Sequence, residues 1–132
     1  MARISYLLDT DILIDWLQNR PWARQLILAA DVRLYCSEVT RKELLSKPGL
    51  KDSERQRILR LMHRFRVLKV DSTVAVATSE LLQKYADRPL RVNDALIAAT
   101  AWIKKLPFVT RNRKHYQFIT EIQLADLPGF PN

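Results

Sequence analysis

Short apolar runs alternate with longer amphipathic stretches along the whole chain. Ile4–Leu8 is apolar without helical spacing and predicts a buried strand that ends at Asp9. Asp11–Leu17 predicts a short helix, and Pro21 opens a second one reaching Ala30, since proline suits a first helical turn. Val32–Cys36 predicts a second strand. Ser37 is a good N-cap for a helix over Glu38–Ser46, which stops before Pro48-Gly49. Ser53 with Gln56 resembles a capping box. The helix that follows sets Ile58, Leu61, Met62 and Phe65 on one stripe and Arg57, Arg60 and Arg64 on another. Val67–Val70 predicts a third strand, and Asp71 or Ser72 caps a helix running to about Tyr85. Asn93 predicts an N-cap for a helix over Asp94–Lys104, whose Ala95, Ala98, Ala99 and Ala101 permit close approach to a sheet. Pro107–Thr110 predicts a fourth strand, and Ile119–Leu124 a short last one.

Strands alternating with helices imply an α/β fold: a central parallel sheet of four to five strands flanked by helices on both faces. At 132 residues the chain fits one domain, 1–132, with no repeat and no linker. Open sheets of this kind bind ligands beyond the carboxyl ends of their strands. Asp9 and the Thr110–Asn112 loop therefore fall at the expected site edge.

Charge sharpens this picture. The chain carries 22 Lys and Arg against 14 Asp and Glu, a net charge of +8. Residues 41–69 alone hold ten basic and three acidic side chains, so one stretch carries nearly the whole surplus. A smaller cluster is Arg111-Asn112-Arg113-Lys114-His115. Such patches are either solvated helix faces or a nucleic-acid footprint, in which Lys and Arg neutralise phosphates. A single cysteine, Cys36, excludes an internal disulfide and a cysteine zinc site. No apolar run approaches the roughly 20 residues needed to span a bilayer, and Met1–Ile4 has no signal-peptide layout. The expected setting is the cytoplasm, with no membrane partner.

Three acids stand where a surface acid is not expected: Asp9 after the first strand, Glu43 inside the third helix, and Asp94 at the head of the Ala-rich helix. Each has an ordinary alternative. Asp9 would cap the next helix, Asp94 would complement a helix dipole, and Glu43 would pair with Lys47 at i+4. Together at one sheet edge they would repel one another unless a cation sat between them. Oxygen-only donors suit Mg²⁺ or Mn²⁺. Such ions generate nucleophilic hydroxide and stabilise an in-line phosphoryl displacement. An acidic centre in a basic chain is what a nuclease requires.

These residues carry a resemblance. Leu7-Leu8-Asp9-Thr10-Asp11 with Ile14-Asp15, Ser37 to Leu44, Val92 to Ala101, and Val109-Thr110-Arg111-Asn112 resemble, in order and spacing, a PIN domain of the VapC toxin type. The likeness spans residues 4 to about 118. It implies a dimeric Mg²⁺- or Mn²⁺-dependent ribonuclease that cuts single-stranded regions of RNA, often tRNA or rRNA, and so inhibits translation. It also implies a small antitoxin partner that occludes the site. Asp9 matches the first family acid and metal ligand, Glu43 the second and Asp94 the third.

The fourth acidic position falls on Asn112, a departure that removes a charge. Asp11 stands where the family commonly has Ser or Asn, and is expected either to replace that charge or to serve as a helix N-terminal acid. Thr10 and Thr110 would bond water or phosphate, or act as caps. The expected RNA-contacting residues are Arg41, Lys42, Arg57, Arg60, Arg64, Arg111, Arg113 and Lys114. His115 and His63 fit an RNA-facing or purely structural role, while Cys36 and the three tryptophans, Trp16, Trp22 and Trp102, fit packing. Two other readings stay open. A degenerate PIN fold would bind RNA or protein without cutting. A phosphotransferase would use Asp9-Thr10-Asp11 to form an aspartyl-phosphate.

Overall fold

The computed structural model describes residues 3–127. Four strands, β1 (Ile4–Leu8), β2 (Val32–Ser37), β3 (Arg66–Leu68) and β4 (Phe108–Val109), form one parallel sheet in the order β3-β2-β1-β4. Six α-helices connect them: α1 (Thr10–Leu17), α2 (Pro21–Ile27), α3 (Glu38–Leu45), α4 (Asp52–Met62), α5 (Ser72–Lys84) and α6 (Val92–Lys104). No helix among the described residues is long and apolar enough to cross a membrane.

The period of two in β1 decides the layering. Leu7 and Leu8 are both fully buried, and they point to opposite faces. Leu8 packs into a cluster with Ile12 and Leu13 of α1, Leu26 and Ile27 of α2, and Ile58, Leu61 and Met62 of α4. Leu7 packs into a second cluster with Val74, Ala77 and Leu81 of α5 and Ile97, Ala98 and Ala101 of α6. Four alanines of α6 are buried, and the close approach expected toward the sheet is made chiefly toward α5.

Strand order reverses at β1. The chain steps outward from β1 to β2 and β3, then crosses back over α5 and α6 to lay β4 on the other side of β1. The crevice beyond the carboxyl ends of β1 and β4 is thus the topological switch point, where such sheets bind ligands. Asp9 and Thr110 stand there.

Several expected boundaries move. Ser53 makes no capping box: α4 begins at Asp52, and its N-cap is Lys51, with no side-chain bond. Asn93 is likewise no cap, because α6 begins at Val92 after Arg91. Both helices have carboxylates in the first turn instead, Asp52 and Glu54 in α4 and Asp94 in α6, which offset the exposed N–H groups. Ser37 and Asp71 do cap α3 and α5, accepting from Val39 N and Val74 N. The last strand reduces to a single bridge between Leu124 and Phe108, and Ile119 packs into the α5–α6 cluster instead. The chain beyond residue 127, included in the expected domain 1–132, lies outside the described residues.

What fixes the loop after β4 is ionic. Asp15, on the buried face of α1, is 1% exposed. The Arg111 guanidinium grips it with two bonds, Nε to Oδ2 at 2.5 Å and Nη2 to Oδ1 at 2.9 Å, and Trp22 Nε1 donates to Oδ2 at 2.9 Å. Removing the arginine strands a buried carboxylate, which costs about 3–5 kcal/mol. Arg111→Ala is therefore expected to lower the urea unfolding free energy by that order. Arg111→Lys should recover only part of it, because a point charge cannot make the bidentate contact.

Candidate metal centre

Asp9 ends β1 and caps α1, so the cap expected as its alternative role is real and coexists with the site. Its Oδ1 accepts from the Thr10 backbone N–H at 2.8 Å, and its Oδ2 accepts from the Thr110 hydroxyl at 2.8 Å. The side chain is 5% exposed. Burial first, then the neighbouring Asp11 carboxylate, push the Asp9 carboxyl from its ordinary 3.8 up to about 7. The Asp94 charge adds to the rise, and the bonds from Thr110 and Thr10 oppose it.

Tyr116 joins Asp9 to Asp94. Its hydroxyl lies 3.1 Å from Asp94 Oδ1 and 3.4 Å from Asp9 Oδ1, and the residue is 1% exposed. Burial, then the charges of Asp9 and Asp94, raise the phenol above its ordinary 10, so it stays a donor. It has one proton to give, and the shorter contact favours Asp94. Asp9 Oδ1 then keeps the Thr10 N–H as its donor and has room for a proton or a cation beside the phenol. The sequence reading missed this residue. The available signal was a large aromatic, three residues before Ile119, directly after a run of charged and polar side chains.

Glu43 is reached through threonines. The Thr10 hydroxyl is 3.2 Å from Glu43 Oε1 and 2.9 Å from the buried Thr40 hydroxyl. Glu43 is not paired with Lys47, which instead bridges to Glu54 at 3.1 Å. Burial, with Asp94 adding, raises the Glu43 carboxyl above its usual range.

Asp11 faces the same crevice from the first turn of α1. Its Oδ2 accepts from the Arg111 backbone N–H at 3.0 Å and lies 3.4 Å from the Thr110 hydroxyl. Its Oδ1 is the one buried side-chain polar atom among the described residues without a partner. Burial raises its carboxyl above the usual range.

Asn112 contributes through its backbone. Its N–H donates to Thr110 Oγ1 at 3.0 Å, and so aims the threonine hydroxyl at Asp9. Its side chain is exposed and makes no hydrogen bond among the described residues. His115 is also exposed.

This donor set fits a hard divalent cation. All candidate ligand atoms are carboxylate oxygens, they repel one another, and one of them is buried and unpartnered. As the side chains lie, no three His, Cys, Asp or Glu groups among the described residues stand at direct-ligand spacing. Water would complete the shell, which suits an ion that dehydrates reluctantly.

The basic residues divide. Arg111, expected to contact RNA, has its guanidinium bound to Asp15 and so also braces the loop. Arg113 pairs with Asp126 at 3.3 Å, Arg57 donates to Leu17 O at 2.9 Å, and the Arg64 guanidinium lies 5.5 Å from the Trp16 ring. Arg41, Lys42, Arg60 and Lys114 make no side-chain hydrogen bond or ion pair among the described residues. Arg41 and Lys42 line a cleft of about 620 Å³ with Glu38 and Val39 at the head of α3.

The PIN domain profile matches residues 6–119. The chain is 31% identical over 121 residues to the ribonuclease VapC10 of Mycobacterium tuberculosis, covering 89% of this chain and 90% of that one. A toxin–antitoxin complex from Klebsiella pneumoniae contains a chain 30% identical, with a TM-score of 0.75 over 89% of this chain and 94% of that one. VapBC-1 from nontypeable Haemophilus influenzae contains another at 30%, with a TM-score of 0.79 over 93% and 98%. The acids beyond β1, the four-stranded parallel sheet and these likenesses lead to one statement of kinship: the chain belongs to the PIN domain family.

Proposed function

We propose that this protein is the toxin of a toxin–antitoxin pair, a Mg²⁺- or Mn²⁺-dependent endoribonuclease that cuts single-stranded regions of tRNA or rRNA and so blocks translation. The reading includes a cytoplasmic setting, a homodimer and a small antitoxin partner. The observation that carries it is the buried Asp9, held by Thr10 and Thr110 and bridged to Asp94 through Tyr116. It is supported by relatives named as VapC ribonucleases and by neighbours in toxin–antitoxin complexes.

Asp9 and Asp94 would hold the cation, with Glu43 and Asp11 facing it through water. When bound, the ion supplies positive charge against these carboxylates and the phosphate oxygens and lowers the pKa of water. The chain's own residues do the positioning. Thr110 fixes Asp9 Oδ2, Tyr116 fixes Asp94, and Thr10 turns Glu43 toward the crevice. Arg41, Lys42 and Lys114 are free to hold the RNA backbone. Asp11 supplies the charge that Asn112 lacks.

The test is incubation of total cellular RNA with parent and Asp9→Asn protein in Mg²⁺, Mn²⁺ or EDTA. Discrete products that need both the metal and Asp9, with a loss of about 100-fold or more in the variant, are expected. Equal background in every lane, from folded protein free of antitoxin, would establish the non-cutting PIN fold instead. Tyr116→Phe should keep the fold and cut metal affinity or activity by roughly 10–100-fold, as loss of an outer hydrogen bond to a ligand does. Titration calorimetry with Mn²⁺ reads it.

Asp9 also predicts a pH dependence for metal-free protein. Its folded value of about 7 lies above the ordinary 3.8, so the folded state binds the proton more tightly. The resulting stability is fully present below about pH 4 and is lost as pH rises through about 7, by up to about 4 kcal/mol at 1.36 kcal/mol per pKa unit. Thermal melts should show this slope, Asp9→Asn should flatten it, and a divalent cation should restore stability at the upper end.

A further inference from the structure

Four arginines gather where β1, β2 and β3 begin. Arg33 of β2 and Arg66 of β3 lie on one face: Arg66 is in register with Tyr35, two residues beyond Arg33. Arg33 is in register with Ser5, two residues beyond Arg3. Because side chains alternate, Arg3, Arg33 and Arg66 descend a diagonal across three strands on the same face. Diagonal neighbours in a sheet are roughly 7–8 Å apart. With Arg64, and with Val32, Leu34 and Tyr35 beneath, they line a cleft of about 410 Å³ whose exposed surface is mainly polar. Arg3, Arg33, Arg64 and Arg66 are all exposed, and none pairs with a carboxylate among the described residues, although the exposed Asp31 precedes β2. A polyanion laid across this row would offset the mutual repulsion of the guanidinium charges.

Adjacent clefts that share side chains lead from the acidic centre along the α1–α4 face to Arg64, at the sheet edge beyond which Arg3, Arg33 and Arg66 lie on the α5–α6 face. A groove of about 520 Å³ starts at Thr10 and Glu43 and reaches Leu17 and Arg57. Those two residues also line a cleft of about 540 Å³ with Trp16, Arg60, His63 and Arg64. Arg64 is shared in turn with the four-arginine cleft. Arg3 and Asp9 bracket the length of β1, so the two ends stand roughly 20 Å apart at about 3.3 Å per residue.

We infer that the Arg3–Arg33–Arg64–Arg66 cleft is a second binding site for the phosphodiester backbone of the RNA substrate, about one strand length from the acids. The inference rests on the RNA reading above and adds to it the path along which a long substrate lies. Guanidinium groups bind phosphate with two parallel bonds, and a diagonal row matches the regular charge of an extended strand. Four guanidinium groups dominate the exposed surface of the cleft over Val32, Leu34 and Tyr35, which favours a polyanion over a docked peptide, whose affinity comes from buried aromatic and aliphatic side chains. The contacts are to backbone, so they carry no base sequence.

The experiment measures binding of a fluorescent uridylate 20-mer to parent and Arg33→Gln/Arg66→Gln protein in EDTA across a salt series. Cleavage is thereby separated from binding, so failure of the nuclease reading and failure of this site are distinguishable. Each lost phosphate contact lowers the slope of log K against log salt by about 0.7 for a single strand. The double variant should lose about 1.4 in slope and at least tenfold in affinity, and Arg33→Lys/Arg66→Lys should keep the slope. Arg3→Gln/Arg64→Gln, one residue before β1 and one in the turn before β3, repeats the test should the first variant melt early. In Mg²⁺, cleavage of a long RNA should show a raised KM and an unchanged kcat. An unchanged slope in folded variants overturns the site. Loss of poly-glutamate binding with RNA binding intact also overturns it, and assigns the cleft to an acidic protein.

Discussion

The bidentate pair of Arg111 and Asp15 is the constraint on which the site depends. Thr110, Arg111 and Asn112 are consecutive, and each is tied to the others or to α1. The guanidinium holds Asp15, the backbone N–H of Arg111 holds Asp11, the Thr110 hydroxyl holds Asp9, and the Asn112 N–H orients Thr110. The β4 strand is two residues long and supplies little pairing of its own. The ionic clamp therefore joins the end of the fourth strand to the first helix, and closes the crevice where the strand order reverses.

Within that clamp the fold accepts electrostatic frustration. Asp9 is nearly dry, Asp11 leaves an oxygen unpartnered, and Tyr116 can donate to only one of the two carboxylates it touches. A purely structural site would have paired these atoms, since unmet buried polar groups each cost about 1–3 kcal/mol. Strain of this kind collects where function demands it. The remainder of the molecule is conventional: two apolar layers, and Cys36 buried with its thiol pushed up to about 12.

Local chemistry made much of this legible. The β1 run, its end at Asp9, the Ser37 and Asp71 caps and the alanine face of α6 all follow from residues near in sequence, and the structure contains them. Asp9, Asp94 and Glu43 were visible as acids in apolar or capping positions. Long-range partners were not visible. Arg111 looked like part of a basic loop because its counter-charge lies 96 positions earlier. Yet Asp15 follows Ile12 by three residues on the buried face of α1, and a carboxylate there requires a cationic partner. Ser53 and Asn93 have cap chemistry but sit inside their helices, because Lys51 and Arg91 already take the extended backbone of the N-cap. Cap propensity is a local preference, and the surrounding packing sets where each helix starts.

If the converging carboxylates form a cation site, its occupancy must displace a proton from Asp9. Titration calorimetry with Mn²⁺ near pH 6, repeated in two buffers of different ionisation enthalpy, tests it directly. Binding must release protons while Asp9 is protonated, and the release must vanish near pH 9 and in Asp9→Asn. Mn²⁺ binding with no proton release near pH 6, or no binding at either pH, would rule out a cation site coupled to Asp9.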